Sequence, residues 1–277
     1  MRARFLWGAV IVASFAILLA LDRVIGHPLF FSLVALAAIV LSIAEYGDVA
    51  RRGGGRLDGG LLVFYAAALV ALKVPNLVPR GALPPPGPET WIGLVLVAHL
   101  FARLVVAGEV EGALRRLGAS VLGYVWIAVG LSAFLDVLER FGVGVTLAAI
   151  CVAKANDIGG LLAGRLLGQR PLAPRVSPKK TWEGAAGGLL LSVLVAGAAA
   201  LLLDAPALGG IRFLPFGIAV SLGAMAGDLG ESLLKRDAGV KDSASWIPGF
   251  GGVLDMTDSL TVAGPVALAS LEGLSRL

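Results

Sequence analysis

Residues 186–203 read Ala-Gly-Gly-Leu-Leu-Leu-Ser-Val-Leu-Val-Ala-Gly-Ala-Ala-Ala-Leu-Leu-Leu, eighteen consecutive positions without a charge. A helix needs roughly 20 mostly apolar residues to cross the hydrocarbon core of a bilayer, and no alternation with polar residues suggests a half-buried strand. Working outward, comparable blocks lie near 5–22, 29–46, 60–74, 91–107, 118–135, 143–166, 211–226 and 259–272, the block at 60–74 being short for a full crossing. The 277-residue chain is 57% hydrophobic and 15% charged, with a mean hydropathy of +0.88. A soluble domain is about a quarter charged. The expectation is an all-α polytopic integral membrane protein with about nine transmembrane helices. It comprises an N-terminal transmembrane region, 1–142, and a C-terminal transmembrane region, 143–277, that carries the polar motifs.

Arg2 and Arg4 precede the run from Phe5 to Leu21, as in a signal peptide, but the run ends in Asp22-Arg23 and not in a small-residue cleavage site. It reads as a retained first helix. Gly53-Gly54-Gly55 and Pro84-Pro85-Pro86 mark loops, since neither run continues a helix. The single cysteine, Cys151, has no partner for an internal disulfide and reads as a small buried apolar residue. His27 and His99 carry no partner pattern and read as structural. The net charge of +4 comes from Lys and Arg between the apolar blocks. That placement suits anionic lipid headgroups, and no nucleic-acid-binding motif is present.

Orientation follows from the basic residues. With a cytosolic N-terminus and alternating crossings, the inside segments hold 15 Lys and Arg and the outside segments 6, while Arg103 and Lys154 fall within helices. The positive-inside rule then favours a cytosolic N-terminus, and the polar segments near 167–185 and 227–258 face the cytosol. From Arg165 to Gly184 there are five basic residues and one acidic; from Gly227 to Asp258 there are six acidic and three basic. One segment suits anionic groups and the other a divalent cation.

Four stretches carry chemistry. In Gly227-Asp228-Leu229-Gly230-Glu231-Ser232-Leu233-Leu234-Lys235-Arg236, Asp228 and Glu231 share a helical face, with Ser232 one turn from Asp228. Carboxylate and hydroxyl oxygens suit Mg²⁺, which takes one or two protein carboxylates together with substrate phosphates; a solvated helix end is the competing reading. Lys241-Asp242-Ser243 leads into Pro248-Gly249-Phe250-Gly251-Gly252, a loop whose glycines let backbone N–H groups approach a ligand. Asp255 and Asp258 follow at the start of the last apolar helix, where carboxylates are favoured by the helix dipole even without a metal. Arg175-Val176-Ser177-Pro178-Lys179-Lys180-Thr181-Trp182-Glu183-Gly184 is dense in phosphate-binding groups, or marks a cytosolic juxtamembrane cluster. Lys154, Asn156 and Asp157 lie in an otherwise apolar helix, where ionisable groups are costly and face a polar cavity or a partner.

Together these residues resemble the phosphatidate cytidylyltransferase (CDP-diacylglycerol synthase) family. Ser232, Lys235, Arg236, Lys241, Asp242, Pro248, Gly249, Gly251, Gly252, Asp255 and Asp258 match its signature at the right spacing. Ser177 to Gly184 resembles its second motif, and Asp157 matches the Asp of the stretch before it. The resemblance is strong over 150–260. Two positions depart: Phe250 stands where the family carries His, and Met256 where it carries Arg.

The resemblance implies transfer of CMP from CTP to phosphatidate, with Mg²⁺, yielding CDP-diacylglycerol and pyrophosphate for phospholipid synthesis. Together with the reading of the residues themselves, it gives Asp228, Asp255, Asp258 and Lys241 as the expected catalytic residues, and Glu231 beside the three aspartates as an expected metal ligand. Asp157, Ser177, Lys179, Lys180, Thr181, Glu183, Ser232, Lys235, Arg236, Gly251 and Gly252 would bind substrate. CTP, phosphatidate and membrane lipids are the expected partners, nucleic acid is not, and a homodimer is one assembly open to the chain. The expected location is a bacterial inner membrane, with the active site facing the cytosol. A CTP-dependent polyprenol kinase and a degenerate, non-enzymatic paralogue are the alternatives.

Overall fold

The computed structural model describes residues 21–22, 25–26, 28–74, 87–244 and 251–276. The described apolar blocks become helices, the form that satisfies backbone hydrogen bonds within one segment, as lipid demands. Helix α1 spans Leu29–Arg52, α2 Gly59–Lys73, α3 Pro88–Ala107 and α4 Ala113–Gly123. A π-helical turn at Tyr124–Val129 leads into α5, Gly130–Leu167. A hairpin of β1 Pro171–Ala173 and β2 Ser177–Thr181 follows, then α6 Trp182–Leu202, a 3-10 turn at Pro206–Leu208, α7 Phe213–Asp237 and α8 Val253–Leu274. The two strands are antiparallel, with Pro171 opposite Thr181 and Ala173 opposite Ser177.

Five described stretches are long and apolar enough to cross a membrane: Leu29–Arg52, Pro88–Ala107, Ala113–Leu167, Trp182–Leu202 and Phe213–Asp237. The chain is accordingly a mainly helical integral membrane protein. Helix α2 has 15 residues, as its short block implied. The blocks at 118–135 and 143–166 both fall within Ala113–Leu167, which breaks at Gly142 with φ 84° and ψ 176°. A side chain is strained at such a φ. Thr146 Oγ1 donates to the Gly142 carbonyl at 2.9 Å and secures the first turn beyond the break. Helix α7 continues past its apolar block to Asp237, because its late charges are paired within the fold. The block at 5–22, with Arg2 and Arg4, lies outside the described residues, as do Arg23, His27, Pro84-Pro85-Pro86 and Pro248 to Phe250.

The chain forms two compact units, the described residues of Met1–Leu135 with Asp237–Thr257, and Asp136–Arg236 with Asp258–Leu277. In the first, Ile39, Ile43, Leu62, Leu69, Leu96, Leu100 and Ile127 are fully buried. Buried Asp58, just before α2, takes Arg116 Nε at 2.7 Å and Nη2 at 2.6 Å, and Arg103 Nη1 at 2.6 Å. His99 Nδ1 lies 3.1 Å from the Tyr65 hydroxyl.

In the second unit, small residues let α5 and α6 meet at backbone distance. A Cβ on Gly159 would lie 2.7 Å from the Gly187 carbonyl oxygen, and one on Gly188 2.7 Å from Asn156 Oδ1. Close approach of this kind is how membrane helices gain contact where lipid gives no hydrophobic advantage. Ser192 Oγ also donates to the Val152 carbonyl at 3.0 Å. The outward faces stay apolar, with Leu161, Leu162 and Leu166 of α5 and Leu190, Leu194, Leu201 and Leu202 of α6 exposed.

That outward apolar face corrects one expectation. Cys151 is exposed and not buried. In a soluble protein an apolar run marks the core, but in a membrane helix the lipid-facing side is apolar too. Position within the run therefore did not locate the thiol.

Candidate active site

The second unit gathers charge from four elements. Asp157 sits on α5, Lys180 on β2, Asp228 on α7, and Asp258 with Ser259 on α8. Gly227, just before Asp228, allows the approach: a Cβ there would run into the backbone of Asp258 and Ser259. Lys154 Nζ reaches Asp157 Oδ2 at 3.1 Å and Ser259 Oγ at 2.8 Å, and Ser259 Oγ lies 3.0 Å from the same Asp157 oxygen. Asn156 Oδ1 accepts from Ser221 Oγ at 2.9 Å, which ties α5 to α7 beside this group.

Lys180 Nζ is buried 2.7 Å from Asp228 Oδ1, an ion pair without hydrogen-bond geometry. Asp258 is 7% exposed and lies within electrostatic range of Asp228, Asp157 and Lys154. Its Oδ1 accepts the Ser259 N–H at 2.5 Å, and among the described residues no cation stands within ion-pair distance. The buried Oδ1 of Asp157 accepts no hydrogen bond among the described residues either.

A buried carboxylate needs a countercharge or donors. No group of three or more His, Cys, Asp or Glu among the described residues is arranged to hold a metal ion alone. The donor set nevertheless fits Mg²⁺: hard carboxylate oxygens, one of them without a partner, and few enough that substrate phosphates and water would complete the shell.

The strand alternation of β2 separates the two lysines. Lys180 turns inward to Asp228, while Lys179 is exposed. Half-buried Ser177 opens the strand. Thr181 caps α6, its Oγ1 accepting the Gly184 N–H at 3.1 Å. Glu183 Oε2 accepts the Gln169 and Arg170 N–H groups at 3.1 and 3.2 Å, closing the base of the hairpin. Arg236 Nε donates to the Val176 carbonyl at 3.3 Å, linking the end of α7 to the hairpin. Glu231 is buried and pairs with Lys235 at 2.6 Å, and Ser232 is half-buried beside them.

The remaining motif residues belong to the first unit. Exposed Lys241 and Asp242 precede buried Ser243. Asp255 Oδ2 accepts the Gly252 N–H at 2.7 Å, the Ser243 N–H at 3.1 Å and the Ser243 hydroxyl at 2.9 Å. Gly251 has φ 86°, and a Cβ there would strike the Asp255 carboxylate. Asp255 thus behaves as the acidic member of a capping box, reaching back from the third position of α8 to the residue before the helix. The Gly252 amide is engaged within the chain. Met256 is half-buried on α8, and Phe250 lies outside the described residues.

Two residues escaped the sequence reading. Ser259 completes the Lys154–Asp157 group, and nothing marks it in the sequence except a hydroxyl beside Asp258. Glu45 of α1 is 4% exposed and bonds to the start of α8. An acidic residue inside an apolar helix is the same signal that singled out Lys154.

Comparison with known proteins covers the chain from end to end. The sequence model of the Cytidylyltransferase family matches residues 2–273. A phosphatidate cytidylyltransferase of Haemophilus influenzae is 44% identical over 114 residues, 40% of each chain. One of Pseudomonas aeruginosa is 34% identical over 250 residues, 87% of this chain and 88% of that one. One of Brucella suis is 31% identical over 255 residues, 92% of this chain and 87% of that one.

Proposed function

Because the chain belongs to the Cytidylyltransferase family, we infer that it joins CTP to phosphatidate, giving CDP-diacylglycerol and pyrophosphate in phospholipid synthesis. The observation that supports this most directly is the second unit's acidic group, with lysines at two of its carboxylates and Asp258 left, among the described residues, without a cation at ion-pair distance. The nucleophile is the lipid phosphomonoester, whose second pKa near 6 leaves it largely ionised at neutral pH. No general base is needed. The obstacle is the meeting of two polyanions, which positive charge must neutralise and align.

Lys180, paired with Asp228, would contact phosphate, and Lys179 and Arg236 would extend the positive surface of the hairpin. Asp258, Asp157 and Asp228 would hold Mg²⁺, which supplies Lewis-acid stabilisation of the developing phosphate charge. Lys154 neutralises Asp157 and fixes Ser259 beside it. Substrates are CTP and a membrane lipid. The proposed setting is a bacterial inner membrane, crossed by about nine helices from a cytosolic N-terminus, with both polar segments on the cytosolic face.

CTP labelled separately at the α and γ phosphorus tests the reaction in purified protein with phosphatidate and Mg²⁺. The α label enters the lipid in this reading. Entry of the γ label would make the chain a lipid kinase, and entry of neither would make it a non-enzymatic relative. Topology is read by thiol labelling at cysteines replacing Gln169 and Asp242, both exposed, in a Cys151→Ala background. Labelling of either only from outside would overturn the orientation.

A further inference from the structure

Glu45 occupies an apolar stretch of α1, yet among the described residues its side chain bonds to groups some two hundred residues later in the chain. Its Oε1 accepts the Val253 N–H at 2.9 Å. Its Oε2 accepts the Leu254 N–H at 2.8 Å and lies 2.8 Å from the Ser243 hydroxyl. Val253 and Leu254 open α8, where the first amides have no partner within the helix. Ser243 stands 2.9 Å from Asp255 Oδ2 as well, so one hydroxyl proton is shared between two carboxylates. A Cβ on Gly252 would collide with both the Glu45 carboxylate and the Ser243 hydroxyl. Both oxygens of Glu45 are therefore committed to the junction between the glycine loop and α8.

An uncharged cap would satisfy one orphan amide. A carboxylate meets two and a hydroxyl, with charge-assisted bonds that strengthen in an apolar surround. The enclosure extends this further. Glu45, Ser243, Gly252 and Asp255 are linked in one set of bonds, so that displacing one strains the bonds of the others. No step of the reaction above calls on Glu45 directly.

We propose that Glu45 is a positioning residue, holding the Gly251–Gly252 loop and the first turn of α8 in the arrangement that receives the CTP polyphosphate. The proposal rests on the cytidylyltransferase reading for the identity of that ligand. Glu45 touches no substrate. It acts through Ser243, the two opening amides of α8 and, by way of Ser243, Asp255.

Glu45→Gln keeps the volume but removes one acceptor and turns a donor toward donors. The full-length protein in detergent is assayed with CTP and phosphatidate varied separately. Glu45→Gln should raise the KM for CTP about tenfold, the size of one charge-assisted bond, with the KM for phosphatidate unchanged. Amide exchange at Gly252 to Leu254 should accelerate while the rest of the chain keeps its protection. Ser243→Ala, which deletes only the shared hydroxyl, should change both in the same direction and by less. A merely structural carboxylate would lower kcat in proportion to folded protein and leave both KM values alone; that result, or unchanged kinetics, overturns the proposal. If Glu45→Gln does not fold, Ser243→Ala decides on the same readouts.

A wild-type chain that makes no CDP-diacylglycerol defeats the function reading separately. CTP binding by equilibrium dialysis then judges Glu45. A Kd about tenfold weaker in Glu45→Gln supports the proposal, and an equal Kd, or no CTP binding by wild type, overturns it.

Discussion

Asp255 and Asp258 stand three residues apart on one helix, yet their surroundings are opposite in kind. Asp255, in the first unit, is met by two backbone amides and a hydroxyl. Asp258, in the second, is buried, receives one adjacent amide and has no cation at ion-pair distance among the described residues. The contrast recurs at other acids, although the second unit also holds donor-matched acids in Glu183 and Glu231. In the first, Asp58 is matched by two arginines and Glu45 by two amides and a hydroxyl. In the second, Asp157 keeps a buried oxygen without a donor among the described residues. Identical side chains at helical spacing thus divide into acids that organise the chain and acids left with capacity for a cation. What separates them is the supply of donors nearby.

The largest effect expected is from metal removal. Chelation should abolish CDP-diacylglycerol synthesis by more than about a thousandfold, the scale of several lost charge interactions, and Mg²⁺ should restore it. Activity that survives chelation would remove the distinction between the two kinds of acid. Next is Lys154→Met, which strips Asp157 and Ser259 of their common partner. The pair is about one-third exposed, so the loss of stability should be small, but Asp157 and Ser259 lose the group that orients them and turnover should fall about a hundredfold.

Lys180→Met is expected to lower kcat/KM for CTP by about tenfold to a hundredfold, the value of one charge-assisted bond. A loss expressed only in stability would make the Lys180–Asp228 pair structural. The smallest effect is a gain. Met256→Arg would add a bidentate donor beside the glycine loop and should lower the KM for CTP by up to about tenfold. A neutral or harmful result would mean that the chain has already balanced this charge elsewhere.

Much of the fold was legible in the sequence, since long uncharged blocks in this composition have few homes outside a membrane. The break at Gly142 falls where one apolar block was expected to begin. The lipid-facing side of each helix was not legible, because both sides are apolar; Cys151 shows the consequence. At the site, spacing located the acidic and basic motifs but could not rank them. The hairpin's alternation divides Lys179 from Lys180, and the fold gives Thr181 and Glu183 capping and bracing bonds. Glu45 escaped because its partners lie two hundred residues away, and no local pattern records such a distance.

The most direct test places Asp255→Asn and Asp258→Asn beside wild type in one assay of CDP-diacylglycerol formation at saturating Mg²⁺, with folding checked in detergent. Asn accepts hydrogen bonds and caps helices nearly as well as Asp but carries no charge. Asp255→Asn should retain turnover within about tenfold, because its partners are donors that a carbonyl oxygen can still satisfy. Asp258→Asn should be folded and inactive. Near-normal turnover in Asp258→Asn, or equal losses in both variants, would contradict the division of the two acids on which the account depends.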